Sequence, residues 1–245
     1  MTEERRPTAV VTGGSSGIGL AVAEALVQQG HEVVITARNP ERLREAAERI
    51  GARWYAVDAV DESGMAAVFA ELGHVDLLVH SAGVFRAKGI RKQTAAEFSD
   101  TVGLNLTSAY VASRAAVQTM RPGGRIIIIG SISGIDGHPW LTGYAASKAG
   151  VRMLAESMRA EVEKDGISVN VLILPTVDTP MMVDIERPAI LVEDCVSAVL
   201  WLDSLHPRVR VPELVLRSAD DSPFGHRINV RVEESATEHV EGASA

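Results

Sequence analysis

Short runs of aliphatic and β-branched residues alternate along this chain with longer stretches in which apolar side chains recur every three or four positions. A continuous or alternating apolar run suits a strand, and a period near 3.6 suits an amphipathic helix. Ala9-Val10-Val11 reads as the first strand and Ile18 to Gln29 as the helix after it, with Gly30 closing that helix. Glu32 to Ala37 gives a second strand, and Pro40, a residue favoured in the first helical turn, opens a helix over Glu41 to Ile50. Arg53 to Val57 is a third strand and Ser63 to Leu72 a short helix. Val75 to His80, a fourth strand, is nearly continuous in apolar residues, as one covered on both faces should be. Ala95 to Met120 is expected to be helical, Arg125 to Ile129 to be the most buried strand, and Tyr144 to Asp165 to be a long helix. Ser168 to Leu174, a helix near Val192 to Leu202 and a last strand, Leu214 to Arg217, complete the pattern. The alternation predicts an α/β fold, a parallel sheet with helices on both faces.

From Ala219 onward Ser, Asp, Glu, Gly and His replace the apolar periodicity. One domain is therefore expected over residues 1–219, with a polar, mobile tail over 220–245. Ile228 to Val232 inside that tail reads as a possible additional edge strand. No internal repeat is visible. A length of 245 residues and 46% hydrophobic content suit a single well-filled core. The net charge of −8 argues against a nucleic-acid partner, which needs a basic face. Met1 to Pro7 contains no apolar signal-peptide core, and no run approaches the roughly 18 apolar residues of a membrane span. The single cysteine, Cys195, excludes an internal disulfide and a cysteine-based metal site. A soluble, cytoplasmic protein with no membrane partner is expected.

Between the first strand and its helix lies Thr12-Gly13-Gly14-Ser15-Ser16-Gly17-Ile18-Gly19. Glycines at a strand-to-helix junction allow a tight turn and bring backbone N–H groups close to a pyrophosphate, which the helix N-terminus attracts. An acidic residue at the end of the second strand would accept from a ribose 2′-hydroxyl and repel a 2′-phosphate. That strand ends Ala37-Arg38, and arginine makes charge-assisted bonds to phosphate. NADP(H) is therefore favoured over NAD(H). Asp58, just past the third strand, either accepts from an adenine amino group or caps a turn.

Tyr144 and Lys148 stand four residues apart, which on a helix places them on one face. A neighbouring ammonium favours phenolate over phenol, so the spacing fits an acid–base pair. Ser131 precedes Tyr144 by thirteen residues. Taken with the glycine turn, Asp58, Ser81-Ala82-Gly83 and Asn105, this set resembles the short-chain dehydrogenase/reductase family over roughly residues 8–217. The resemblance implies a Rossmann-type doubly wound sheet of about seven strands. It also implies an NADP(H)-dependent oxidoreductase that interconverts a small-molecule carbonyl and a secondary alcohol. In that reading Tyr144 is the acid or base, and Lys148 lowers its pKa and bonds the nicotinamide ribose. Ser131 orients the substrate oxygen, and Asn105 interrupts its helix and links Lys148 through water to a proton relay. Ala82 and Gly83 pass close to the adenosine ribose. Pro175, Val177 and Thr179 meet the nicotinamide, the last two at its carboxamide. A homodimer or homotetramer through the helices Asn105 to Met120 and Tyr144 to Asp165 is a further family-level expectation.

Three departures from the family pattern stand out. Its Asn-Asn-Ala-Gly after the fourth strand is His80-Ser81-Ala82-Gly83 here, so the bridging bonds of the first asparagine must be made otherwise. Its Pro-Gly after the sixth strand is Pro175-Thr176. Only Pro180 to Leu191 separates that turn from the next helix, which predicts a short substrate lid and an open pocket. The expected substrate walls are Val84, Phe85, Asp136, His138, Trp140, Met181 and Met182. A catalytically silent nucleotide-binding scaffold or redox-sensing regulator is the rival reading, and the joint presence of Ser131, Tyr144 and Lys148 weighs against it.

Overall fold

The computed structural model describes residues 5–179 and 189–219. Met181, Met182 and most of the expected lid, together with the expected tail and its edge strand, lie outside the described residues. Strands β1 (Thr8–Thr12), β2 (Glu32–Ala37), β3 (Arg53–Ala56), β4 (Leu77–His80), β5 (Arg125–Ile129), β6 (Ser168–Ile173) and β7 (Glu213–Val215) form one seven-stranded sheet. Its order is β3-β2-β1-β4-β5-β6-β7, and every pairing is parallel. The helices between them are α1 (Gly17–Gln28), α2 (Pro40–Ile50), α3 (Glu62–Leu72), α4 (Ala95–Val102), α5 (Ser108–Thr119), α6 (Thr142–Val162) and α7 (Val192–Ser204).

Successive strand residues point to opposite faces, and each face fills its own core. Val11, Ile35, Val79 and Ile127 pack with α1, α2 and α7. Val10, Val34, Leu78, Ile126 and Ile128 pack with α3, α5 and α6. Cys195 is buried within the first of these layers, and burial pushes its thiol up to about 12. Local chemistry sets the helix ends. Asn39 accepts from the Arg42 N–H at 2.9 Å, Pro40 follows it, and Gly51 ends α2 at φ 73°. Thr94 and Glu97 form a reciprocal capping box at the start of α4.

One expected element divides. Residues read as a single helix from Ala95 to Met120 form α4 and α5 separated by a π-helical turn, Gly103–Thr107, with Asn105 buried at its centre. Such bulges are frequent at functional sites. The sheet order places the crossover reversal between β1 and β4, where a crevice opens at the carboxyl ends of the strands.

Candidate active site

That crevice is a cleft of about 430 Å³. The glycine turn floors one end. Gly13 has φ 69°, a conformation that residues with a Cβ rarely adopt. Gly19 does not line the cleft; it packs behind the turn, where a Cβ would fall 2.5 Å from the Gly13 carbonyl oxygen. Ser16 occupies the N-cap of α1 without a side-chain capping bond, and no acidic residue lies in the first turn. The first N–H groups of α1 are thus left for an anion, and Ser15, Ser16, Gly17 and Ile18 line the space before them. Thr179 comes within 3.9 Å of where a Cβ on Gly17 would lie, so it borders this cradle. Pro175 and Val177 line the cleft further along, with Val177 itself buried.

Arg38 lies at the mouth beside the cradle, and Arg42 joins it from the first turn of α2. Neither guanidinium takes an ion-pair partner among the described residues. Sequence reasoning saw Arg38 and missed Arg42; the signal was its place four residues on, in the helix turn that starts beside the cleft. Asp58 lines the same end, and its Oδ1 also accepts from the Val60 N–H at 3.2 Å, so the carboxylate both caps its turn and faces the cleft.

At the other end Ser131, Tyr144 and Lys148 share one wall with Phe85 and His138. Ser131 follows β5 and accepts from the Ser133 N–H at 3.2 Å, which leaves its own hydroxyl hydrogen to donate. Phe85 meets the Tyr144 ring edge-on, with centroids 5.1 Å apart. Lys148 is buried, donates to the Ile129 carbonyl at 2.9 Å, and stands 5.9 Å from the centroid of the Tyr144 ring. Burial lowers its pKa to about 8. The Tyr144 phenol, in contrast, is raised by burial, and the Ser131 hydroxyl pulls the other way. The depression expected from Lys148 does not appear: burial raises the phenol, and the opposing contribution comes from Ser131.

Asn105 lies behind the wall, not in the cleft. Its Oδ1 accepts from the Val84 N–H at 2.8 Å, and its Nδ2 donates to the Val84 carbonyl at 3.1 Å and to Ser147 Oγ at 3.0 Å. Trp140 also departs from expectation. It does not line the cleft; its backbone turns at φ 62°, its indole lies half-exposed against Gly89, and its carbonyl accepts from the Lys88 N–H at 2.7 Å.

His80 replaces the family's asparagine as a bridge. The Ala82 N–H donates to Thr12 Oγ1 at 3.3 Å, and Thr12 Oγ1 lies 2.9 Å from His80 Nδ1. On the far side His80 Nε2 lies 3.2 Å from Ser108 Oγ, which donates to the Leu104 carbonyl at 2.8 Å. Because Ser108 gives its one proton to Leu104, His80 donates to it through Nε2. Burial, helped by the neighbouring Lys148 charge, lowers the ring's pKa to about 3, so the ring is neutral and Nδ1 accepts from Thr12.

Glycine cradle, strand-end crevice and serine, tyrosine and lysine on one wall define a nucleotide-binding protein of the doubly wound α/β class. This chain belongs to the short-chain dehydrogenase family, whose family model matches residues 7–189. It is similar to the 3-dehydrosphinganine reductase TSC10B of Arabidopsis thaliana, 36% identical over 181 residues that span 69% of this chain and 55% of that one. It is also similar to the 3-oxoacyl-(acyl-carrier-protein) reductase FabG of Escherichia coli strain K12, 35% identical over 196 residues that span 76% of this chain and 80% of that one. Among solved structures it resembles BdcA in complex with NADPH at a TM-score of 0.80 and 27% identity, covering 87% of this chain and 93% of that one. A short chain dehydrogenase from Burkholderia cenocepacia J2315 in complex with NADP matches at 0.79 and 26%, covering 86% and 96%. No described helix is long and apolar enough to cross a membrane.

The His80 bridge makes a stability prediction. A histidine ordinarily titrates at 6.5 and this one at about 3, so the unfolded chain binds the extra proton between those values. The stabilisation from neutral His80 is complete above pH 6.5 and is lost as the pH falls toward 3. Urea unfolding at pH 7 and pH 4.5 should show a loss of about 2–3 kcal/mol from this group. His80→Asn should lack that part of the loss; an unchanged pH slope would contradict it.

Proposed function

We propose that the protein is an NADP(H)-dependent reductase that interconverts a carbonyl and a secondary alcohol. The observation that carries this reading is the convergence of Ser131, Tyr144 and Lys148 on one wall of a cleft whose other end holds a helix N-terminus without a side-chain cap and two arginines that have no ion-pair partner among the described residues. The cradle suits a pyrophosphate, with Ser15, Ser16 and Thr179 around it. Arg38 and Arg42 suit a 2′-phosphate, Asp58 an adenine amino group, and Ala82 and Gly83 a ribose passing close to the backbone. The NADP(H) of the similar structures supports the same choice. When bound, nicotinamide supplies or accepts the hydride.

The chain's own groups then divide the remaining work. Ser131 donates its hydroxyl hydrogen to the substrate oxygen and holds it beside Tyr144. The Tyr144 phenol, raised further by burial, is protonated at neutral pH and serves as the proton donor in reduction. Lys148, cationic below about pH 8, steadies the charge that develops as that proton leaves. Asn105 acts as a wall support that fixes Val84 and the start of α6. Val84, Phe85, Ile132 and Leu141 give the substrate end an apolar lining. The reductases named above act on 3-oxo compounds, so 3-oxoacyl thioesters and long-chain 3-ketones head the panel to test. Tyr110 and Met153, exposed on α5 and α6, suit a two-fold contact in a homodimer or homotetramer.

NADPH oxidation followed at 340 nm with that panel should reveal turnover, and Tyr144→Phe should lower it by about 10²–10⁴-fold. A Tyr144→Phe enzyme as fast as the parent overturns the role of Tyr144, and no turnover with any member of the panel leaves the scaffold reading standing.

Arg38→Ala and Arg42→Ala should each weaken NADPH binding by about tenfold or more and leave NADH binding nearly unchanged. Equal losses for both nucleotides rule out the 2′-phosphate role.

Reductive kcat should be level below pH 8 and decline above it as Lys148 loses its proton. Lys148→Arg should carry that break to higher pH.

A further inference from the structure

We propose that Arg152 is a positioning residue that sets the Ser131 hydroxyl for the reaction, and that Glu213 of β7 locks Arg152 in place. The inference rests on the reading of Ser131 as the group that orients the substrate oxygen. Arg152 follows Tyr144 by eight residues and Lys148 by four, so all three lie on one face of α6. Its guanidinium forks. Nε and Nη2 donate to the two carboxylate oxygens of Glu213, each at 2.9 Å, and Nη1 donates to the Gly134 carbonyl at 3.2 Å. A bidentate pair fixes the plane of a guanidinium, so the remaining donor has one direction in which to point.

The carbonyl it holds belongs to the turn that carries Ser131. The Gly134 N–H donates to the Ser131 carbonyl at 2.9 Å, and the Ser133 N–H donates to Ser131 Oγ at 3.2 Å. The turn is pressed onto α6: a Cβ at Gly134 would lie 2.8 Å from the carbonyl carbon and oxygen of Lys148. Any shift of Gly134 therefore moves the N–H that fixes Ser131 Oγ, and moves it relative to the helix bearing Tyr144 and Lys148. A second tie runs the same way, since Arg217, two residues past β7, lies 3.6 Å from Asp136 beyond the turn. Arg152 and Glu213 remain about 30% exposed, at 31% and 30% of their side chains. Core filling does not require a charged pair there. Its distinctive geometry is the fork that joins β7, α6 and the Ser131 turn.

The test is a double-mutant cycle with the panel ketone turned over fastest. Arg152→Gln should lower kcat by about tenfold, as small misplacements of a positioned group do, with KM for NADPH within about twofold of the parent. In a Ser131→Ala background, already slow, the same substitution should lower kcat by less than about twofold, because the group it positions is gone. If Ser131→Ala is slow and Arg152→Gln costs the same factor in both backgrounds, the positioning role is overturned while the reading of Ser131 stands. If Ser131→Ala turns over like the parent, the reading of Ser131 fails and the inference with it. Should Arg152→Gln not fold, Glu213→Gln runs the same cycle. It should give a loss of about threefold that vanishes without Ser131, and a loss that persists overturns the proposal.

Discussion

A buried ammonium with no carboxylate partner among the described residues organises this site. Burying a cation without a counter-ion is costly, and the structure meets part of that cost with the Ile129 carbonyl at the end of β5. The position of Lys148 is thereby tied to a strand end rather than to a flexible acidic side chain. Two residues past that carbonyl comes Ser131, so the same strand end that holds the cation also aims the hydroxyl. Burial keeps His80 uncharged, and the cation adds to that effect.

The hydrogen bonds around it form a nearly closed circuit. Thr12, His80 and Ser108 join the end of β1 to the π-helical turn, and Asn105 within that turn holds Val84, only two residues from the Ala82 N–H that Thr12 accepts. A regular α-helix from Ala95 to Met120 would rotate Asn105 and Ser108 relative to each other. The wider turn permits both contacts at once, which gives the irregularity a structural reason.

Most of the architecture was legible in the chain. β2 and β5 fall on the boundaries that the apolar pattern predicts, and the other strands differ only at their ends. The glycine turn and the Tyr144–Lys148 pair were also legible, because each depends on short local spacing, whereas Ser131, from the end of another strand, was joined to the pair by the family resemblance. What escaped was set by tertiary geometry. Arg42 becomes part of the mouth only because α2 starts beside it, and Trp140 leaves the wall because its backbone takes a left-handed turn. Spacing alone announced a lowered phenol at Tyr144, whereas burial, which no local pattern reports, raises it.

Cys195 offers a consequence of another kind. The chain has this one thiol, and it sits in the apolar layer beneath α7 with its proton held to about 12. Thiolate is the reactive species, so the native fold presents almost none to alkylating or oxidising reagents. A cysteine introduced at the cleft mouth would carry a fluorescent or spin label against a silent background. The motions of the entrance could then be followed on the wild-type core, without first stripping the protein of its own sulfur.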